Sequence, residues 1–380
     1  MRVGLLAPEL SEAHGWGRYT LDLARALAAQ GDIELVIAAS SASPGDGGLP
    51  HAGYYPILPP LIPAQRGTSL RSLLTAPRLR AVLRGCDVIH AVAEHYLPVA
   101  AVVAGRRPLV ATAHGTYLPL HLGRWNGPLF RWAARRAVIL PVSAYTAGRV
   151  REQLPEARLQ VIPNGVHAER FAMPPAQLPP RYGPTVLGVG VNKARKGFHI
   201  LLQAVAQARA TVPDIQCVII GDTSDAAYQA ELARISAENA LEGCVHILGR
   251  VPDETLIGYY HIADVFALPS INIGGRFEGF GLVYLEAGAA GLPVIGTLGC
   301  GAEEAIVNGE TGFLVPQHDA GALARAIVRL LTDPDLRARM GAAGRARAAA
   351  CSWTNVAAQV RAVYESAPAL RPPTAGLPAS

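Results

Sequence analysis

The chain has 380 residues, 50% hydrophobic and 17% charged, which suits two domains with separate cores, while its longest apolar stretches, such as 97–104, are too short to span a bilayer. Low aromatic content and the lack of any recognition motif exclude a nucleic-acid partner, and five scattered cysteines (Cys86, Cys217, Cys244, Cys300, Cys351) offer neither metal spacing nor a disulfide framework, which points to a reduced, cytoplasmic setting. The net charge of +5 is uneven: residues 1–180 hold 18 Arg, no Lys and 11 acidic residues, so this half suits an anionic partner or peripheral contact with an anionic membrane at its inner face.

The chain opens on an apolar strand at 3–7 that runs into a polar loop, with none of the features of a signal peptide. Further strands are predicted at 33–38, 88–91, 109–112, 137–141 and 159–162, and helices near 18–30, 69–84, 96–104, 126–135 and 144–153. Continuous apolar strands between amphipathic helices specify an α/β fold with a parallel, doubly wound sheet. Ligands of such sheets bind beyond the carboxyl ends of the strands. The loop at 8–17 lies there, and its Gly15 and Gly17 would let a phosphate or an acceptor approach the backbone closely. No G-x-G-x-x-G follows the first strand, which disfavours a dinucleotide. His114 ends the strand at 109–112, where it can bond a sugar hydroxyl or help a proton move; His90 and His95 read as structural. Arg66, Arg71, Arg78, Arg80 and Arg84 share one helix, and Arg124, Arg131, Arg135 and Arg136 cluster on another. Asn164–Gly165 reads as a turn and hinge.

Five prolines in 173–184 make a stiff linker between a first domain at 1–172 and a second at 185–352. The second domain's strands are predicted at 186–189, 216–220, 245–248, 265–268, 294–296 and 312–315. After the first of them comes G-V-G-V-N-K-A-R-K-G, which holds Lys193 and Lys196, the only lysines against 32 arginines. A lysine kept here suits a phosphate oxygen, because it is a compact point charge. The stretch 266–297 then runs from a strand through a Gly-rich loop into a helix predicted to start near Phe280 and to stop at Gly291 and Pro293. Glu278 lies just before that helix and Glu286 eight residues later. Eight helical residues rise roughly 12 Å, too far for two acids sharing one glycosidic bond. Both can still touch one elongated ligand, with the amides of Gly279, Phe280, Gly281 and Leu282 offered to an anion between them. A last amphipathic helix is predicted near 353–366, followed by a mobile Pro/Ala-rich tail at 367–380.

The run E-G-F-G-L-V-Y-L-E-A, followed by G-L-P-V-I-G-T, resembles the E-x7-E signature of family 4 retaining glycosyltransferases of the GT-B fold. The resemblance extends to Tyr364 and is strongest over 264–316. It implies two Rossmann-like, doubly wound parallel-sheet domains facing a cleft, the first binding the acceptor, the second the donor, with the last helix packed back on the first. It implies a nucleotide diphospho-sugar donor of UDP-glucose or GDP-mannose type, a glycan, lipid-linked or small-molecule acceptor, and an α-linked product. Glu286 would take the ribose hydroxyls and Glu278, with His114, the reacting sugar. Lys196, Arg195 and the amides at 279–282 would stabilise the leaving diphosphate, with Lys193 an alternative second charge. Gly15 and Gly17 would border the donor, and the backbone at Arg250 and Val251 would face the base. Neither metal nor other cofactor is expected. Val191 stands where the family places Arg, His167 where it often has Asp, and Cys300 where it has Gly. An epimerase or a phosphorylase of the same fold, or a non-catalytic nucleotide-sugar-binding protein, remain alternatives.

Overall fold

Residues 1–12, 15–51, 53–61 and 67–367 are described by the computed structural model. Arg66 and all but the first residue of the predicted tail lie outside the described residues. The chain divides into two units, Met1–Asn164 with the segment from Trp353 onward, and Gly165–Ser352.

The first unit carries seven parallel strands: β1 (Arg2–Ala7), β2 (Glu34–Ser40), β3 (Gly53–Leu58), β4 (Val88–Ala91), β5 (Leu109–Ala113), β6 (Val138–Pro141) and β7 (Arg158–Leu159). They lie in the order β3-β2-β1-β4-β5-β6-β7. Apolar residues on both faces bury the strands on both sides, as a parallel sheet requires. Leu6, Val36, Ile89, Ala111 and Ile139 face one core with helices Leu97–Ala104 and Gly127–Arg135. Their strand neighbours Leu5, Ile37, Val88, Val110 and Leu140 face the other, with helices Gly15–Ala28 and Trp353–Ser366. His90 joins the last helix to the sheet: its Nδ1 lies 2.7 Å from the Tyr364 hydroxyl and its Nε2 2.9 Å from Thr112 Oγ1.

Three differences from the sequence reading concern the sheet edges and the helix layer of this unit. Strand β3 was not expected, because Pro56 and its half-exposed side chains hide the pattern; an edge strand tolerates both. The strand expected at 159–162 shrinks to Arg158–Leu159, although the amides of Gln160 and Ile162 still reach β6. The helix expected at 69–84 breaks into Thr68–Leu73 and Ala76–Val82, the second started by Pro77 in its first turn.

The second unit carries β8 (Thr185–Val189), β9 (Gln216–Ile220), β10 (Val245–Gly249), β11 (Val265–Ala267), β12 (Val294–Thr297) and β13 (Gly312–Val315), in the order β10-β9-β8-β11-β12-β13. It begins at Gly165, earlier than the linker at 173–184 suggests. Helix Ala168–Ala172 is held there by Phe171, which packs edge-on against Tyr260 and whose carbonyl is bonded by His261. In each sheet the strand order reverses beside the first strand, between β1 and β4 and between β8 and β11. Those are the switch points where ligands of open α/β sheets bind.

Candidate functional site

In the second unit, the loops after β8 and β11 meet at the switch point. A 3₁₀ turn over Ala194–Lys196 ends at Gly197, which has φ +72 and heads helix Phe198–Ala208. A Cβ on Gly197 would lie 1.9 Å from the Pro269 carbonyl, so only glycine lets the two loops touch. That contact brings Lys196 to Glu278. The ammonium donates to Glu278 Oε2, Arg195 Nη1 lies 3.6 Å from the same oxygen, and the Ser270 hydroxyl donates to it over 3.3 Å. Glu278 is only 9% exposed. Burial alone would raise its pKa, but the charges of Lys196 and Arg195 prevail and hold it below the usual range. Burial draws the Lys196 ammonium down, an effect the Glu278 carboxylate opposes. Two cations against one carboxylate leave a net positive charge, which suits an anionic ligand.

Helix Leu282–Ala290 follows, two residues later than expected. Gly281 is its N-cap at φ +85, a left-handed conformation that cannot continue a helix, and Phe280 is buried ahead of it. Glu278 therefore sits in the loop, and a helical rise does not set its distance from Glu286. No side chain caps the helix, so its first-turn amides keep their anion-binding capacity. The Gly301 amide donates to the Glu278 carbonyl over 2.8 Å and backs the turn from the loop after β12. Glu286 is 7% exposed and accepts a 2.9 Å hydrogen bond from the buried Tyr260 hydroxyl.

Four residues escaped the sequence reading. Ser270 and Tyr260 hold the two glutamates. Asn272 and Gln317 fasten the Gly-rich loop, with the Asn272 amide on Gln317 Oε1 and both side chains on the Gly299 carbonyl. These contacts span up to 45 residues of sequence and leave no local signal. Asn192, beside the expected Arg position, is fully buried with neither amide atom partnered among the described residues. Arg250 and Val251 follow β10 at the sheet edge. Arg250 pairs with Asp222 at 3.0 Å, and hydrogen bonds from Ser224 and Arg250 hold the Asp222 carboxyl at about 2.

The first unit's switch point is different in kind. Gly15 and Gly17 lie in helix Gly15–Ala28, not in a loop as expected. Gly17 is needed by the chain itself: a Cβ there would lie 2.6 Å from the Ser11 carbonyl and 2.8 Å from the Glu9 side chain. Trp16 then packs against His95 and Tyr117. The His114 amide donates to Glu94 Oε1 over 2.6 Å, and His114 Nε2 lies 2.7 Å from the Val92 carbonyl. That carbonyl can only accept, so Nε2 carries the proton. Burial lowers the His114 pKa to about 4, so at neutral pH the ring hydrogen-bonds as neutral imidazole and is no acid. Glu94 is 1% exposed, its Oε2 has no partner among the described residues, and burial raises its pKa to about 7.

Comparison with known proteins gives these sites a context. Residues 170–347 match the family model for glycosyl transferases group 1, and 13–170 the model for Glycosyltransferase Family 4. The chain is 33% identical over 379 residues to the phosphatidyl-myo-inositol mannosyltransferase of Mycobacterium leprae, covering 96% of this chain and 97% of that protein. It is 36% identical over 258 residues to the GDP-mannose-dependent alpha-(1-6)-phosphatidylinositol monomannoside mannosyltransferase of Mycolicibacterium smegmatis, covering 64% of this chain and 65% of that protein, just short of two thirds. Among solved structures, sucrose-phosphate synthase from Thermosynechococcus elongatus superposes with a TM-score of 0.80 at 25% identity, over 97% of this chain and 100% of that one.

Proposed function

The chain belongs to the group 1 glycosyl transferases and is a glycosyltransferase, and we propose that it moves mannose from GDP-mannose to a hydroxyl of an inositol-phosphate-bearing acceptor, with retention and an α-linkage. The observation that carries this reading is the Lys196–Glu278 pair with Arg195 at the second unit's switch point. A nucleotide diphosphate satisfies its surplus positive charge. In the proposal, Lys196, Arg195 and the amides ahead of Leu282 stabilise the charge that grows on the diphosphate as the sugar leaves. Glu286, set by Tyr260, takes the ribose hydroxyls, and Glu278 holds the hydroxyls of the reacting sugar. The acceptor oxygen bonds the anomeric carbon on the face the diphosphate leaves, the sugar–phosphate bond breaks, and the acceptor proton passes to the departing phosphate oxygen. His114 serves as a neutral hydrogen-bond partner for a sugar hydroxyl. Two side-chain cations supply the countercharge, so the proposed reaction uses no metal. The choice of mannose and inositol phosphate rests on the relatives, and the excess of arginine in residues 1–180 suits an anionic acceptor.

The test is to offer GDP-mannose or UDP-glucose with phosphatidylinositol or free inositol phosphate, with and without a chelator. The proposal expects an α-mannosyl product from GDP-mannose that chelation does not reduce. A β-linked product, a trapped covalent sugar–enzyme adduct, or conversion of the donor without acceptor would overturn it.

A further inference from the structure

The second unit holds a pocket at the end of its sheet opposite the donor loops. Thr185 and Gln216, the first residues of β8 and β9, border it, and its volume is about 470 Å³, within the range of small-molecule sites. The alternation of the strands opens it. Along β9, Cys217 and Ile219 are fully buried on one face, whereas Gln216 and Val218 on the other face reach the pocket. Helix Asp253–Ile262 packs on β8 and lends Tyr259 to the pocket, while Leu248 on the edge strand β10 stays 38% exposed.

The proline-rich linker forms one wall, and it is fastened in place. Pro179 packs on Gly258, where a Cβ would lie 2.6 Å from its ring. Arg181 donates to both Asp264 carboxylate oxygens over 2.9 and 2.8 Å, and Asp264 also accepts from the Thr185 amide. Tyr182, held next to these contacts, is 72% exposed, with its ring centre 6.4 Å from that of His246. The Gln216 amide nitrogen donates to the Asp214 carbonyl, which turns its oxygen to His246 Nε2 at 3.0 Å.

The lining names the chemistry of a ligand. Among the described residues no Asp, Glu, Lys or Arg lines the pocket, so it suits a neutral molecule rather than a phosphate or a cation. Val218, Leu248 and the tyrosine rings offer apolar surface, while the tyrosine hydroxyls, Thr185 and Gln216 offer hydrogen bonds. A hexose has the matching mixture, with C–H groups on its ring faces and hydroxyls around its edge. An alkyl chain would leave the polar groups without partners.

We propose that this pocket is a second carbohydrate site, which holds a neutral hexose of a glycan away from the centre where the glycosidic bond is made. It needs neither the donor nor the acceptor named above.

The experiment is hydrogen exchange and saturation-transfer NMR on the full chain with methyl α-mannoside, in the presence of GDP, with hexanol as the apolar comparison. The hexoside is expected to bind with a dissociation constant of about 1 mM, ordinary for a ligand of this size, and to protect the amides at 181–186 and 245–249. Tyr182→Ala, an exposed position that leaves the fold alone, should bind it about tenfold more weakly, while its protection by GDP at the donor loops stays at the wild-type level. The proposal is overturned if the hexoside protects neither segment, if Tyr182→Ala binds as tightly as wild type, or if hexanol protects these segments and the hexoside does not. Protection by the hexoside without any protection of the donor loops by GDP would sink the transfer reading and leave the second site intact.

Discussion

Replacing Glu94 with glutamine should flatten the pH dependence of the first unit's stability. In the folded chain the Glu94 carboxyl is buried beside His114 and Tyr19, with no cation paired to it among the described residues, and its pKa stands at about 7 against an ordinary 4.5. The folded state therefore holds a proton that the unfolded state has already released, and stability falls as the pH rises from about 4.5 to about 7. A tenfold difference in proton affinity is worth about 1.4 kcal/mol, so the loss is roughly 3 kcal/mol. Glutamine has the shape and hydrogen bonds of the protonated acid, including the unpaired group at the Oε2 position, so that cost cancels in the comparison. The depressed histidines nearby (His95, His114 and His121) titrate alike in both proteins and cancel as well. All four tryptophans, Trp16, Trp125, Trp132 and Trp353, lie in the first unit, so their fluorescence follows its unfolding alone. Urea titrations at pH 5 and pH 8 should show wild type losing about 3 kcal/mol more than Glu94→Gln between the two. Parallel losses in the two proteins would mean that Glu94 is ionised and satisfied in the fold, and the reasoning would fail.

The second unit offers three further tests, each read by hydrogen exchange because it has no tryptophan. Lys196→Met leaves the buried Glu278 with Arg195, at 3.6 Å, as its one cation among the described residues and should destabilise the unit by about 3 kcal/mol at pH 7; the loss should shrink as acid protonates Glu278, and a pH-independent loss would argue against an under-compensated charge. Tyr260→Phe removes the hydroxyl that bonds Glu286 and should cost about 2 kcal/mol, with unchanged exchange around 282–290 contradicting that bond. Asn192→Leu replaces two unpartnered buried atoms with a side chain of similar size and should stabilise the unit by about 1–3 kcal/mol, whereas a loss would show that the amide has a partner.

Much of the fold was legible because parallel strands buried on both faces are continuous apolar runs, as in Val88–Ala91 and Gln216–Ile220, whose bounds match the reading. The edge strands of the first sheet were harder, because β3 and β7 are only half buried and lose that pattern, whereas β10 and β13 at the edges of the second sheet match the reading to within a residue. At the candidate donor site the charged residues stood out by type and rarity, the two lysines most of all. Their supports did not: Ser270, Tyr260, Asn272 and Gln317 are ordinary polar residues whose partners lie far along the chain. The start of helix Leu282–Ala290 was misplaced because G-F-G-L reads as a helix start at either glycine, and the Tyr284 ring, whose Cε2 would lie 2.4 Å from a Cβ on Gly281, is a tertiary fact. Gly15 and Gly17 misled for a related reason. Glycine marks close approach, but sequence does not say to what, and at Gly17 the neighbour is the chain's own loop.

The central claim is that the switch point between β8 and β11 binds a nucleotide sugar through Lys196, Arg195, Glu278 and Glu286. Titration calorimetry with GDP-mannose on wild type and Glu286→Gln tests it most directly, since glutamine keeps the size and the bond from Tyr260 but removes the charge. A hydrogen bond to a charged group is worth about 1.5–3 kcal/mol, so the variant should bind at least tenfold more weakly while its fold is unchanged. Equal affinity in the two proteins, or no binding of GDP-mannose to wild type, would contradict the account.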